Sequence, residues 1–270
     1  MKIIDAHIHL FSTESPGANE MAKRAGHINS IEHLREVYES LGMVHSVVMS
    51  NHSLKAEYHN YPADMFHYCI GLDSSVMLDE QDLADHVEEN LRRESCCGVK
   101  LYPGYNKLSI SDKIYEPIYE LAAQYDKPVA VHMGLTANAR SHLKYCHPLE
   151  LDEVAADHPD TNFVLCHYGN PFLETAAAVI EKNPNVSADL SGIAVERIDL
   201  EQYLRDYAEY VALLKAWTTS INCWDKIMYG TDWPLVNMGE YIDFIKAIIP
   251  EKHWDEVFFE NANRIYRLGL

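Results

Sequence analysis

The chain has 270 residues, 47% hydrophobic and 23% charged, enough to bury a sizeable core as one large α/β barrel or two smaller domains. A net charge of −19 argues against charge-driven binding of nucleic acid or of an anionic membrane surface, so a small-molecule partner is expected. No apolar run reaches transmembrane length, no basic stretch leads into an apolar core at the N-terminus, and the six cysteines form no C-x-x-C pair; the expectation is a cytoplasmic protein with reduced thiols.

Short apolar runs alternate with amphipathic stretches along the whole chain. The first strand is expected over 2–9 and ends in His7-Ile8-His9. Side chains two apart on a strand share a face, so the two imidazoles can grip one metal ion; a pair of surface histidines on an edge strand is the alternative. Residues 11–29 read as the longest loop, either a lid or a surface excursion. A helix over 30–41 and a strand over 44–50 follow, the strand running into Ser50-Asn51-His52. The next strand is expected over 66–72, then a helix carrying Leu83, Val87 and Leu91 at four-residue spacing. Strand 97–102 carries Lys100 and Tyr102. Ile114, Ile118, Leu121 and Tyr125 form a second helical stripe, in which Pro117 marks a start or a kink.

Strand 128–133 ends in Val131-His132-Met133-Gly134, with Arg140 in the loop beyond it. Arg140 is either a bidentate clamp for a carboxylate or a solvated loop residue. A helix over 148–157 precedes strand 162–167, which closes in Leu165-Cys166-His167-Tyr168-Gly169. Helix 172–182, strand 185–190, helix 196–219, strand 226–231 and helix 239–249 complete the series, with Tyr229-Gly230-Thr231-Asp232-Trp233-Pro234 at the last strand end. Eight β-then-α units imply a parallel sheet with right-handed crossovers and predict a (β/α)8 TIM barrel, one domain over 1–270. An open doubly wound sheet would want a glycine-rich loop after the first strand, where this chain has His-Ile-His.

Barrel chemistry sits at the C-terminal ends of strands. Imidazoles and carboxylates gathered there need partners, because burying them unpaired costs free energy. A metal would satisfy them together: His7, His9 and His132 offer nitrogen ligands and Asp232 a carboxylate, the donor set of a catalytic zinc site. His52, Tyr102, Tyr105, Tyr168 and Trp233 are candidates for a pocket suited to a planar substrate, each of them also explicable as packing.

These motifs together resemble the amidohydrolase superfamily, in the amidohydrolase-related branch that includes aminocarboxymuconate-semialdehyde decarboxylase-like enzymes. The ending Glu260-Asn-Ala-Asn-Arg-Ile-Tyr-Arg-Leu268 is also similar, so the resemblance runs from residue 3 to residue 268. It implies that His7, His9, His132 and Asp232 hold a divalent metal, most often zinc, with one ion or two. It implies that Asp232 is both ligand and proton shuttle, and that His167 orients the water, stabilises charge or binds a second metal. Lys100 corresponds to a strand-4 lysine that bridges two metals as a carbamate in some members and lines the pocket in others; a salt bridge at the barrel mouth is the third option. The activity implied is hydrolysis of a small amide, lactone or ester. Decarboxylation of a small unsaturated or aromatic acid uses the same ligands, and a non-catalytic metal-binding relative is a third class. Relatives are often dimers or larger, which leaves a homodimer open.

Overall fold

The computed structural model describes residues 1–51, 53–73 and 80–270, the side chains of 80 and 81 excepted. His52 therefore lies outside the described residues. Eight strands form one sheet in the order β1 to β8: Ile3–Ile8, Met43–Met49, Phe66–Leu72, Cys96–Leu101, Val129–Val131, Phe163–Leu165, Val186–Asp189 and Ile227–Met228. Each neighbouring pair is parallel. The turn after β8 closes the ring: Ala6 N donates to Tyr229 O, Asp232 N to His7 O and His9 N to Trp233 O, and Ile8 bridges Trp233. This is the expected TIM barrel.

Alternate strand residues explain the two cores. Ile4, Ala6, Val47, Met49, Cys69, Cys97, Ala130, Val164, Cys166 and Met228 pack together as one cluster. Ala262, Tyr266 and Leu268 join that cluster from the C-terminal segment. The opposite strand faces, carrying residues such as Val48, Ile70, Val99, Val131 and Leu165, pack with the helices in a second, larger cluster. All six cysteines are unpaired, five of them buried.

The helices are α1 Pro16–Arg24, α2 Ile31–Leu41, α3 Glu80–Leu91, α4 Pro103–Asn106, α5 Glu116–Tyr125, α6 Pro148–Asp157, α7 Leu173–Lys182, α8 Leu200–Asp206, α9 Ala208–Ser220, α10 Met238–Ile248 and α11 Asn261–Ile265. Two expectations are corrected. The segment 11–29 is not a plain loop: Ser15 caps α1 through its hydroxyl, which accepts from Ala18 N at 3.4 Å, and Pro16 stands in the first turn. The helix expected over 196–219 is two helices. Asp199 caps α8 by accepting from Gln202 N at 3.0 Å, and the chain leaves helical geometry at Tyr207 before α9. Of the two roles left open for Pro117, the structure has the first: it falls in the first turn of α5 and starts that helix.

Candidate active site

The strand ends deliver their polar residues to one mouth of the barrel. His7 Nδ1 donates to Asp189 Oδ2 at 3.0 Å, and His9 Nδ1 donates to the Met49 carbonyl at 2.8 Å. Both acceptors lack a proton to give, so each ring carries its hydrogen on Nδ1 and turns a bare Nε2 the other way. Those Nε2 atoms stand 3.6 Å and 3.3 Å from Asp232 Oδ1. His7, His9 and Asp232 each offer a ligand atom within 4.8 Å of the others. His7 Nε2 is buried and has no hydrogen-bond partner. An orphaned lone pair, a second imidazole nitrogen and a carboxylate converging on one point is a donor set that fits a divalent cation.

Electrostatics set the charge of this cluster. Burial, with the Lys100 charge adding to it, pushes His7 down to about 3 against the pull of Asp189, so its ring is neutral. Burial raises the Asp232 carboxyl, but the facing His9, His167 and His7 side chains outweigh that and hold it well below the usual range. Asp189 is likewise held low: burial opposes its charge, and the adjoining His7, which hydrogen-bonds to it, outweighs that.

His132 is placed differently from the expectation. It lines the cavity but stands outside the three-residue cluster. Its Nε2 lies 2.9 Å from the Leu135 carbonyl, and its Nδ1 is 3.0 Å from His167 Nε2. The other nitrogen of His167 faces Ser191 Oγ at 2.8 Å and Ser191 O at 3.2 Å. Burial drives both rings toward the neutral form.

The cavity above the cluster has a volume of about 290 Å³. His9, His132, His167 and Asp232 face it together with Phe11, Tyr102, Tyr105 and Trp233. Tyr102 and Trp233 are thus part of the wall, and Met21 of α1 lines it too. Lys100 is not in that wall. It is fully buried, with Nζ 2.9 Å from Cys166 Sγ. Arg140 is exposed in its loop and outside the wall, its backbone N–H donating to Asn138 Oδ1 at 2.9 Å. Tyr168 is buried beside α9, its hydroxyl donating to Trp217 O at 3.3 Å.

The sequence reading missed Asp189, Ser191 and Asp5. Asp189 closes β7, where its Oδ1 accepts from His167 N and Ser191 N while Oδ2 holds His7. Asp5 accepts from His7 N at 3.1 Å, Thr231 N at 2.9 Å and Thr231 Oγ1 at 2.6 Å, tying β1 to the turn that bears Asp232. Burial lifts its carboxyl to about 7 against those hydrogen bonds. His167 and Asp232 both have positive φ, 59° and 61°, which aims each side chain off its strand. Gly192, with φ of 63°, leaves room between them: a Cβ there would stand 3.0 Å from Asp232 Oδ2 and 3.5 Å from His167 Nδ1.

Known proteins agree with this architecture. A curated relative, Protein fluG from Emericella nidulans, is 27% identical over 156 residues, covering 54% of this chain; the match spans only 18% of that longer protein. The structure of 5-carboxyvanillate decarboxylase from Sphingomonas paucimobilis superposes with a TM-score of 0.68 at 14% identity, covering 98% of this chain and 99% of that one. A putative 2-pyrone-4,6-dicarboxylic acid hydrolase from Pseudomonas putida gives 0.67 at 15% identity, covering 100% and 98%. At such identities the likeness carries the fold. The family model described as Amidohydrolase matches residues 4–268, and with it the barrel from first strand to last helix belongs to the amidohydrolase family of enzymes.

Proposed function

We propose that this enzyme uses one divalent metal ion, zinc before others, to hydrolyse a small lactone, ester or amide. His7, His9 and Asp232 would hold the ion, with His132 as the fourth ligand. The carrying observation is the buried, unpartnered His7 Nε2 in a cluster with His9 Nε2 and the Asp232 carboxylate. A bound divalent ion supplies Lewis acidity and lowers the pKa of a water molecule. Asp232, kept ionised, accepts the proton of the attacking water and hands it to the leaving group. His167 faces the same cavity and stabilises charge developing on the substrate oxygen. Asp189 and Met49 keep the two β1 imidazoles in one tautomer. Lys100, buried against Cys166, supports a role under the site rather than a bridging carbamate.

Decarboxylation is the second reading, and the aromatic wall favours it. Loss of carbon dioxide disperses the carboxylate charge, and apolar surroundings assist that step. One structural neighbour is a decarboxylase by name and another a hydrolase, so the fold serves both readings.

The test is turnover of lactones, amides and aromatic acids by protein stripped with chelator and then reloaded with zinc. Activity should vanish and return. Asp232→Asn should lower kcat by about 10²–10⁴-fold with an unchanged circular dichroism spectrum. Full turnover in metal-free protein, or in Asp232→Asn, would overturn the scheme; absence of any turnover after reloading would favour a binding protein.

A further inference from the structure

The cavity wall mixes two kinds of side chain. His9, His132, His167 and Asp232 are its ligand-type groups; Phe11, Tyr102, Tyr105 and Trp233 are its aromatic ones, with Met21 and Leu235 also lining it. Two further polar groups are neutral donors. The Tyr105 oxygen accepts from Ala137 N at 3.0 Å, so its own proton remains to be given, and the Asn51 amide also faces the space. The formally charged side chains of the wall are Asp73 and Asp232, both acids.

Among the described residues, no lysine or arginine lines this cavity. Residues 52 and 74–79, outside the description, and 80 and 81, whose side chains are not described, include neither type in the sequence. The two cations nearest to the motifs are diverted: Lys100 lies buried against Cys166, and Arg140 is exposed outside the wall.

Resting on the metal-enzyme reading above, we propose that the site admits a planar cyclic substrate with at most one anionic group, directed at the His7–His9–Asp232 cluster, and with neutral hydroxyl or carbonyl groups toward Tyr105 and Asn51. Dicarboxylates are excluded. A second carboxylate would leave water and meet the negative faces of aromatic rings or the Asp73 carboxylate, with no guanidinium or ammonium to pair it. That arrangement selects by rejection as well as by fit. It separates this chain from any enzyme whose substrate carries two acid groups, although the barrel and the ligand cluster are shared.

The experiment uses zinc-loaded full-length protein, with zinc uptake first measured by equilibrium dialysis. Calorimetric titration then compares 2-hydroxybenzoate with benzene-1,3-dicarboxylate. The monoanion should bind at least about tenfold more tightly, the size expected when a buried charge goes unpaired. Met21→Lys, which brings an ammonium to the α1 side of the wall, should narrow that gap. Equal or tighter binding of the dicarboxylate, an unchanged gap in Met21→Lys, or zinc uptake with no binding of either acid would each overturn the proposal. Failure to take up zinc at all would instead overturn the metal-enzyme reading beneath it.

Discussion

The two nitrogens of His7 have separate tasks. Nδ1 is committed to Asp189, and that commitment leaves Nε2 bare beside Asp232. Carboxylate partners of this kind fix ring orientation and raise ligand basicity. Asp189→Asn should therefore weaken zinc binding by roughly 10–100-fold, read by competition with a chelating dye, while the folded spectrum persists; affinity within twofold of the parent would refute this role. The sequence signalled the histidines because they fall two apart at a strand end. It did not signal Asp189, an ordinary acid in Asn-Val-Ser-Ala-Asp, whose partner stands 182 positions away. Lys100 and Arg140 show the reverse limit. Residue type suggested pocket roles, but strand facing and loop path decided against both, and neither is visible without the third dimension.

Among the elements, the strands were readable in number and order but not in length. Apolar patterning suggested six residues for the fifth and sixth strands, whereas β5 and β6 have three each and β8 has two. The pattern persists because residues past the ladder, such as Met133 and Cys166, are still buried. After β6, left-handed residues His167 and Tyr168 turn the backbone away, and the sequence gives no cue for positive φ at a histidine or a tyrosine. Between β2 and β3 lies a testable pair: His45 Nε2 and His67 Nδ1 are 2.7 Å apart, and His45 is fully buried. Burial, with His67 opposing a second charge, pushes His45 down to about 4. The folded form then binds fewer protons than the unfolded chain between pH 4 and the ordinary histidine value near 6.5, so stability is present above that window and is lost as pH falls through it. The slope for one such group is about 1.4 kcal/mol per pH unit. Urea denaturation at pH 7 and pH 4.5 should show His45→Gln losing less stability on acidification than the parent; identical losses would remove His45 from the account.

For the whole molecule, the cluster spans the seam of the barrel. His7 and His9 belong to the first strand and Asp232 to the turn after the last, and that turn supplies the closing hydrogen bonds to Ala6, His7 and His9. A cation bound there links both ends of the sheet and should bind only the closed form. Zinc at a hundred times its Kd would then add about 2.7 kcal/mol of stability. Calorimetric melting with zinc against chelator should show a rise in Tm of roughly 5–10 °C; no change would mean that the ion does not join the seam. The same seam governs how the protein is made. Asp5 meets Thr231 across 226 positions of chain. A ribosome adding about 5–20 residues per second needs roughly 10–45 s to cover that distance. Through that interval the first strand lacks its neighbour on the β8 side, and the Nε2 atoms of His7 and His9 have no Asp232 to face. A nascent chain therefore lacks the cluster until the turn after β8 has emerged, and one stopped before that turn never acquires it: the join between first and last strand makes the centre a late product of synthesis.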